Sequence, residues 1–239
     1  MSDPPPAVTL RQVKKSFPLG DGRSLQVLDV EHLALSAGGA TVLRGRSGSG
    51  KTTLLNLIAG VSAPTAGTVV VDGTDVFALS EARRDRFRAQ HIGYIFQTFN
   101  LLAALNAVEN VMLAMMFAGS LHRGEQRQRA RDILTRLGLG ARLTHRPAQL
   151  SRGEQQRVAI ARAFANDPPL ILADEPCASL DAASARDVLA LFLAACREER
   201  KTALIVSHDD AVLTAADRIL DIAGLNRALG GPTTNEGST

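Results

Sequence analysis

The sequence is short of cysteine, of net charge and of long apolar runs. Cys177 and Cys196 are too few for a disulfide framework. The pair reads as reduced thiols of a cytosolic chain, with Cys177 a packing residue. Lys and Arg number 27 against 24 Asp and Glu, a formal net charge of +3. That balance gives no argument for nucleic acid as a partner. No stretch reaches the roughly 18 uninterrupted apolar residues of a membrane helix, and the best candidate, 111–118, is too short. The opening MSDPPP has neither the basic n-region nor the apolar h-region of a signal peptide. The expectation is a soluble protein that acts at a membrane only through another chain.

What is present is a core-forming composition, 45% apolar over 239 residues, enough for one large α/β domain or two small lobes. Its organising stretch is 45–53, Gly45, Arg46, Ser47, Gly48, Ser49, Gly50, Lys51, Thr52 and Thr53. This fits the phosphate-loop pattern G-x-x-x-x-G-K-[ST] at every fixed position. An apolar run at 40–43 reads as a buried strand before it, and a helical run at 52–59 follows, ending at Gly60 as a C′ residue. The chemistry needs that order. Glycines let successive N–H groups point into one concavity, and the helix start adds its positive dipole end. Lys51 brings a mobile charge for outer phosphates, and Thr52 a hydroxyl for Mg²⁺.

Taken in order, 8–17 and 25–35 alternate apolar and polar residues around a turn at 19–24 and read as an antiparallel edge layer. Phe17 is either a base-stacking aromatic or a cover for the core edge. A turn at 64–67 precedes a strand at 68–71, and Ser80 caps a helix at 80–90 whose arginines form either a solvated face or an anion-binding patch. An apolar strand at 92–96 ends at Gln97. From 98 to about 150 the periodicity is helical, which reads as a small lobe inserted between strands. Its Met112, Met115 and Met116 form a core stripe or a partner-docking surface. The basic run 123–131 reads as solvated. The last strand is expected at 217–222, and 1–6 and 230–239 as loose termini.

A second helix start is built for an anion. Ser151 and Glu154 form a capping box with Gly153 in its first turn. Ser151 serves either that cap alone or a phosphate. A buried strand at 170–173 delivers Asp174, placed for a Mg²⁺ shell, and Glu175, placed to take a proton from water. Asp181 opens the next helix. His208 stands at the end of another buried strand, at the edge where parallel sheets bind ligands.

With these residues collected, the chain resembles the ATPase subunit of an ABC transporter from about Val8 to Ile222. The resemblance rests on separated motifs in the family's order: GRSGSGKT at 45–52, Gln97, LSRGE at 150–154 followed by QQRVAIARA, LILADEP at 170–176, SLD at 179–181 and His208. The wording around Gln97, IGYIFQTFNLL, resembles the lipoprotein-release and macrolide-efflux subgroup that works with membrane-fusion proteins.

The resemblance implies a P-loop α/β fold: a mostly parallel sheet flanked by helices, an antiparallel edge layer and a helical lobe. It implies one ATPase domain at about 7–225, with a core at 7–97 and 166–225 and the lobe at 98–165. It further implies ATP and Mg²⁺, held by Phe17, the loop residues, Gln97 and Asp174. Two copies meet head to tail, as a homodimer, and Ser151, Arg152, Gly153, Glu154 and Asp181 of one reach the ATP of the other. Glu175 acts on the attacking water and His208 on the γ-phosphate. The partner is a separate permease at the cytoplasmic face of the plasma membrane. One departure stands out: the family's LSGGQ reads LSRGE here, with Arg152 and Glu154 in the third and fifth places. Two alternatives stay open: a force-transmitting signalling complex, and an ATPase acting on nucleic acid.

Overall fold

The computed structural model describes residues 5–20, 22–119 and 121–230. In chain order its strands are β1 (Val8–Pro18), β2 (Ser24–Leu35), β3 (Gly39–Arg44), β4 (Ala66–Val71), β5 (Thr74–Asp75), β6 (Ile92–Ile95), β7 (Leu170–Asp174), β8 (Thr202–Val206) and β9 (Arg218–Asp221). The helices are α1 (Lys51–Ile58), α2 (Glu81–His91), α3 (Ala107–Ala118), α4 (Arg123–Arg136), α5 (Arg152–Phe164), α6 (Ala182–Glu198), α7 (Asp210–Ala215) and α8 (Ile222–Leu225).

The strands form two sheets. One is five-stranded in the order β6-β7-β8-β3-β9 and wholly parallel. The other is four-stranded and antiparallel, in the order β2-β1-β4-β5. Every residue of β7 and β8 is buried, as expected of parallel strands covered on both faces. The side-chain period of two then sorts them. Leu170 and Leu172 join α1 and the antiparallel sheet, whereas Ile171 and Ala173 join α3, α5 and α6. Helix α1 is thus clamped between the sheets by Leu54, Leu55, Leu57 and Ile58, all buried. Burial of each such side chain is worth about 1.5–3 kcal/mol, which anchors the loop at its N-terminus.

The parallel order sends the loops after β3, β6, β7 and β8 out of the same sheet edge. That is where Gly45–Lys51, Gln97, Asp174–Glu175 and His208 stand.

Several expected boundaries shift. Ala66 and Gly67 belong to β4 rather than to the preceding turn, because they continue its pairing toward β1. Ile222 is not strand but the first residue of α8, capped by the Asp221 side chain accepting from Ala223 N–H at 3.0 Å. Ser80 occupies the N-cap position but its side chain makes no capping bond. The methionines divide: Met112 and Met115 are buried, while Met116 is 63% exposed beside Phe117 at 78%. Among the basic-run residues Arg129 is not solvated; its Nε donates to the Ala165 carbonyl at 2.6 Å, tying α4 to the end of α5. Of the termini, 1–4 and 231–239 lie outside the described residues, and Gly230 closes a 3₁₀ turn, Arg227–Gly230.

Candidate functional site

The loop after β3 turns on residues that only glycine serves. Gly50 is the N-cap of α1 with φ 93°, in the left-handed region, and a Cβ there would lie 2.8 Å from Leu28 Cδ2. At Gly45 a Cβ would fall 2.2 Å from Ile222 Cγ2. With no capping side chain at Gly50, the first N–H groups of α1 remain for a ligand. Lys51 Nζ donates to the carbonyls of Gly45 and Arg46, each at 2.8 Å, so its charge is held against the loop itself. Ser49 is buried, its hydroxyl donating to Arg46 O at 2.7 Å.

Around this loop lies a cleft of about 610 Å³. It brings together Gly45–Gly48, Gly50–Thr53, Gln97, Asp174, Glu175 and His208, residues scattered over more than half the chain. Asp174 is buried, and that burial pushes its carboxyl above the usual range, with Glu175 adding to the effect. The Thr52 hydroxyl bonds to the same carboxylate and, with Lys51, pulls the other way. Glu175 has φ 47°, uncommon for a side chain other than Gly or Asn, and its N–H donates to Val206 O at 2.9 Å. Its side chain meets His208, whose Nδ1 lies 2.8 Å from Glu175 Oε1. The set Thr52 Oγ1, Gln97 and Asp174 is oxygen-rich, as a hard cation requires.

The other expected residues stand elsewhere. Phe17 is 40% exposed, does not line the cleft, and carries Lys15 Nζ 4.8 Å from its ring centre. Ser151, Arg152, Gly153, Glu154 and Asp181 do not line it either. They form their own constellation at the start of α5. Ser151 Oγ accepts from Glu154 N–H at 3.2 Å, and Ser151 N–H donates to Glu154 Oε2 at 2.8 Å. The other Glu154 oxygen takes Arg142 Nε at 2.9 Å. The Ser151 amide and then Arg142 hold this carboxyl below its ordinary value. Arg152, the departure in the motif, points at Ser179, donating to its carbonyl at 3.2 Å. Asp181 caps α6, accepting from Ala183 and Ser184 N–H at 3.1 and 3.0 Å. The capping-box bond occupies the Glu154 N–H and leaves the Ser151 hydroxyl proton unused.

Sequence reasoning missed Val27 and Val206, which line the cleft. Val27 sits in an alternating strand and Val206 in a continuous apolar one, and both patterns read simply as core. Beside the Gln97 segment and the helical lobe, where sequence reasoning expected a groove for a membrane partner, lies a groove of about 800 Å³ between α2, α3 and β6. The groove is lined by Phe117, Arg86, Tyr94 and Phe96 among others. Phe96 lines this groove and its neighbour Gln97 lines the cleft. Burial pushes the Arg162 guanidinium below its ordinary value. From α5 it donates to Phe99 O and Asn100 O at 2.9 and 2.6 Å, holding the segment after Gln97 to that helix.

Comparison with known proteins gives concordant results. Residues 28–178 match the family model described as ABC transporter. The chain is 43% identical over 220 residues to the lipoprotein-releasing system ATP-binding protein LolD of Novosphingobium aromaticivorans, covering 92% of this chain and 96% of that one. It is 44% identical over 216 residues to the macrolide export ATP-binding/permease protein MacB of Syntrophobacter fumaroxidans. That match covers 90% of this chain, which spans only 30% of the MacB length. Among solved structures, a dimeric post-hydrolysis state of the ATP-binding cassette MJ0796 with ADP and Pi superposes with TM-score 0.82 at 37% identity, covering 92% of this chain and 95% of that one.

Proposed function

The chain belongs to the ABC transporter family, and from that premise we propose that it works as a nucleotide-driven clamp on a membrane permease of the lipoprotein-release or macrolide-efflux kind. Its fold is that of an ABC ATPase cassette, and it is an ATPase. The observation carrying the proposal is the division of anion-binding equipment. The cleft holds Lys51, Asp174, Glu175 and His208 but none of Ser151, Gly153 or Asp181. Two copies arranged head to tail supply each cleft with the partner's α5 start, a closed two-fold arrangement.

In this reading the loop amides and Lys51 bind the phosphates. Thr52, Gln97 and Asp174 hold Mg²⁺, which when bound neutralises charge on the phosphate oxygens. Glu175 takes a proton from the attacking water as its oxygen bonds the γ-phosphorus and the bond to the β,γ-bridging oxygen breaks. His208 orients Glu175 and meets the γ-phosphate. Phe17 stacks on the base, and Arg152 stiffens the signature segment through Ser179. The reading includes a core at about 7–97 and 166–225 and a helical lobe at about 98–165.

The permease docks in the groove of Phe96 and Phe117, at the cytoplasmic face of the membrane. No helix among the described residues is long and apolar enough to cross one. Closure reaches the groove through the Phe96–Gln97 step. Export as the direction of transport follows the LolD and MacB likeness, and a membrane-fusion protein joins through the permease.

Sedimentation tests the clamp. In a Glu175→Gln background, Mg·ATP is expected to drive monomer to dimer, and adding Ser151→Ala is expected to abolish the shift. Full-rate ATP turnover by a strict monomer overturns the proposal.

A further inference from the structure

Asn226 lies outside every motif and outside the family match, yet it is almost wholly buried. It follows α8, with its N–H donating to Ile222 O at 2.8 Å. Its side-chain amide is fully engaged. Oδ1 accepts from Asp29 N–H at 2.8 Å and Ala228 N–H at 3.2 Å. Nδ2 donates to Val27 O at 2.8 Å and to Ser49 O at 3.2 Å. One side chain therefore stitches β2, the C-terminal segment and the phosphate loop together.

The Ser49 bond is the one with a consequence for chemistry. Ser49 C=O and Gly50 N–H belong to one planar trans peptide and point in opposite directions. A donor that fixes the carbonyl fixes the amide. Gly50 lines the cleft, and its φ of 93° belongs to a residue free to flip. The Ser49 side chain bonds its own loop at Arg46 O and gives the 49–50 peptide no second hold. Val27, whose carbonyl shares the same NH₂ group, lines the cleft as well.

We propose that Asn226 is a positioning residue for nucleotide binding, holding the 49–50 peptide so that the Gly50 amide faces the phosphates. The inference rests on the reading of the cleft as a nucleotide site.

The test is Asn226→Asp, with Mg·ADP as the probe so that hydrolysis does not enter. The substitution keeps the shape and the acceptor for Asp29 and Ala228. It replaces the NH₂ donor with an oxygen facing two carbonyls. The introduced oxygen in place of Nδ2 faces Val27 O and Ser49 O and can no longer hold them as a donor. The Kd for Mg·ADP of the folded variant, relative to the unsubstituted chain, is expected to rise about tenfold. A ratio near one in the folded variant overturns the inference. Failure of the unsubstituted chain to bind Mg·ADP instead overturns the nucleotide reading itself. Should the aspartate variant not fold, Asn226→Ser is compared by Tm with and without Mg·ADP. Loss of the nucleotide-induced rise supports the inference, and an unchanged rise on a lowered baseline overturns it.

Discussion

Glu175 Oε1 accepts from His208 Nδ1 at 2.8 Å, across two neighbouring strand ends. A carboxylate oxygen accepts, so the ring nitrogen that faces it, Nδ1, carries the proton of this bond, and Nε2 is left for a ligand. His208 thus fixes the direction of Glu175 before anything else arrives. Glu175 is mostly sheltered, whereas the His208 side chain is 75% exposed. The carboxylate is the sheltered member of the pair, and the imidazole is the one a ligand meets first.

Glu175→Gln removes the proton acceptor and keeps the shape. ATP turnover is expected to fall by about 10²–10⁴-fold with Mg·ATP affinity retained. His208→Ala should lower turnover as well, by freeing Glu175 to reorient. Single-turnover kinetics with separately measured Kd values checks both, and a Glu175→Gln chain at near-normal rate removes Glu175 from the chemistry.

Asp174 carries a pH prediction. Its folded-state pKa lies above the ordinary 3.8, first through burial. A carboxyl shifted upward favours folding only while protonated. That contribution is present below the unfolded value and is lost as pH rises through the folded one. At neutral pH the ionised group therefore opposes the fold. Asp174→Asn should raise Tm at pH 7.5 by about 1–3 °C, and the gain should vanish toward pH 3.8. The same substitution should abolish the metal-dependent part of ATP binding. Thermal unfolding across pH, with and without Mg·ATP, reads both effects.

Gly153 separates folding from partnership. A Cβ there would meet Ser184 Cβ at 3.5 Å, ordinary contact, and the residue is helical. Gly153→Ala is therefore expected to keep or raise Tm, since Ala is better than Gly in a helix by up to about 1 kcal/mol. Turnover and ATP-driven dimerisation are nevertheless expected to fall, because a second chain needs the close approach. Normal turnover in the stable variant would argue against any such approach.

Phe117 is 78% exposed at the rim of the groove. Burying a phenylalanine on a partner is worth about 1.5–3 kcal/mol. Phe117→Asp should weaken co-purification with a co-expressed permease by at least about tenfold. Its Tm should stay close to that of the unsubstituted chain, as for most surface changes. Retention of the permease would move the docking surface elsewhere.

Sequence alone determined the chemistry of the phosphate loop, because that chemistry is local. Glycine spacing, Lys51 and the following helix are neighbours in the chain. The capping box at Ser151 was legible for the same reason, as were the all-apolar strands that end at Asp174 and Ser207. Whether Ser80 would cap, where β4 begins and how the methionines divide depended on what packs nearby. So did the destination of Arg152: the sequence shows a bulky cation in the signature, and only packing turns it onto the Ser179 carbonyl. Asn226 marks the limit most clearly. Nothing in its neighbourhood, Leu225 and Arg227, signals a role. Its partners Val27, Asp29 and Ser49 come from segments some 177 to 199 residues away, and only the stacking of one sheet on the other brings them within reach of a single amide.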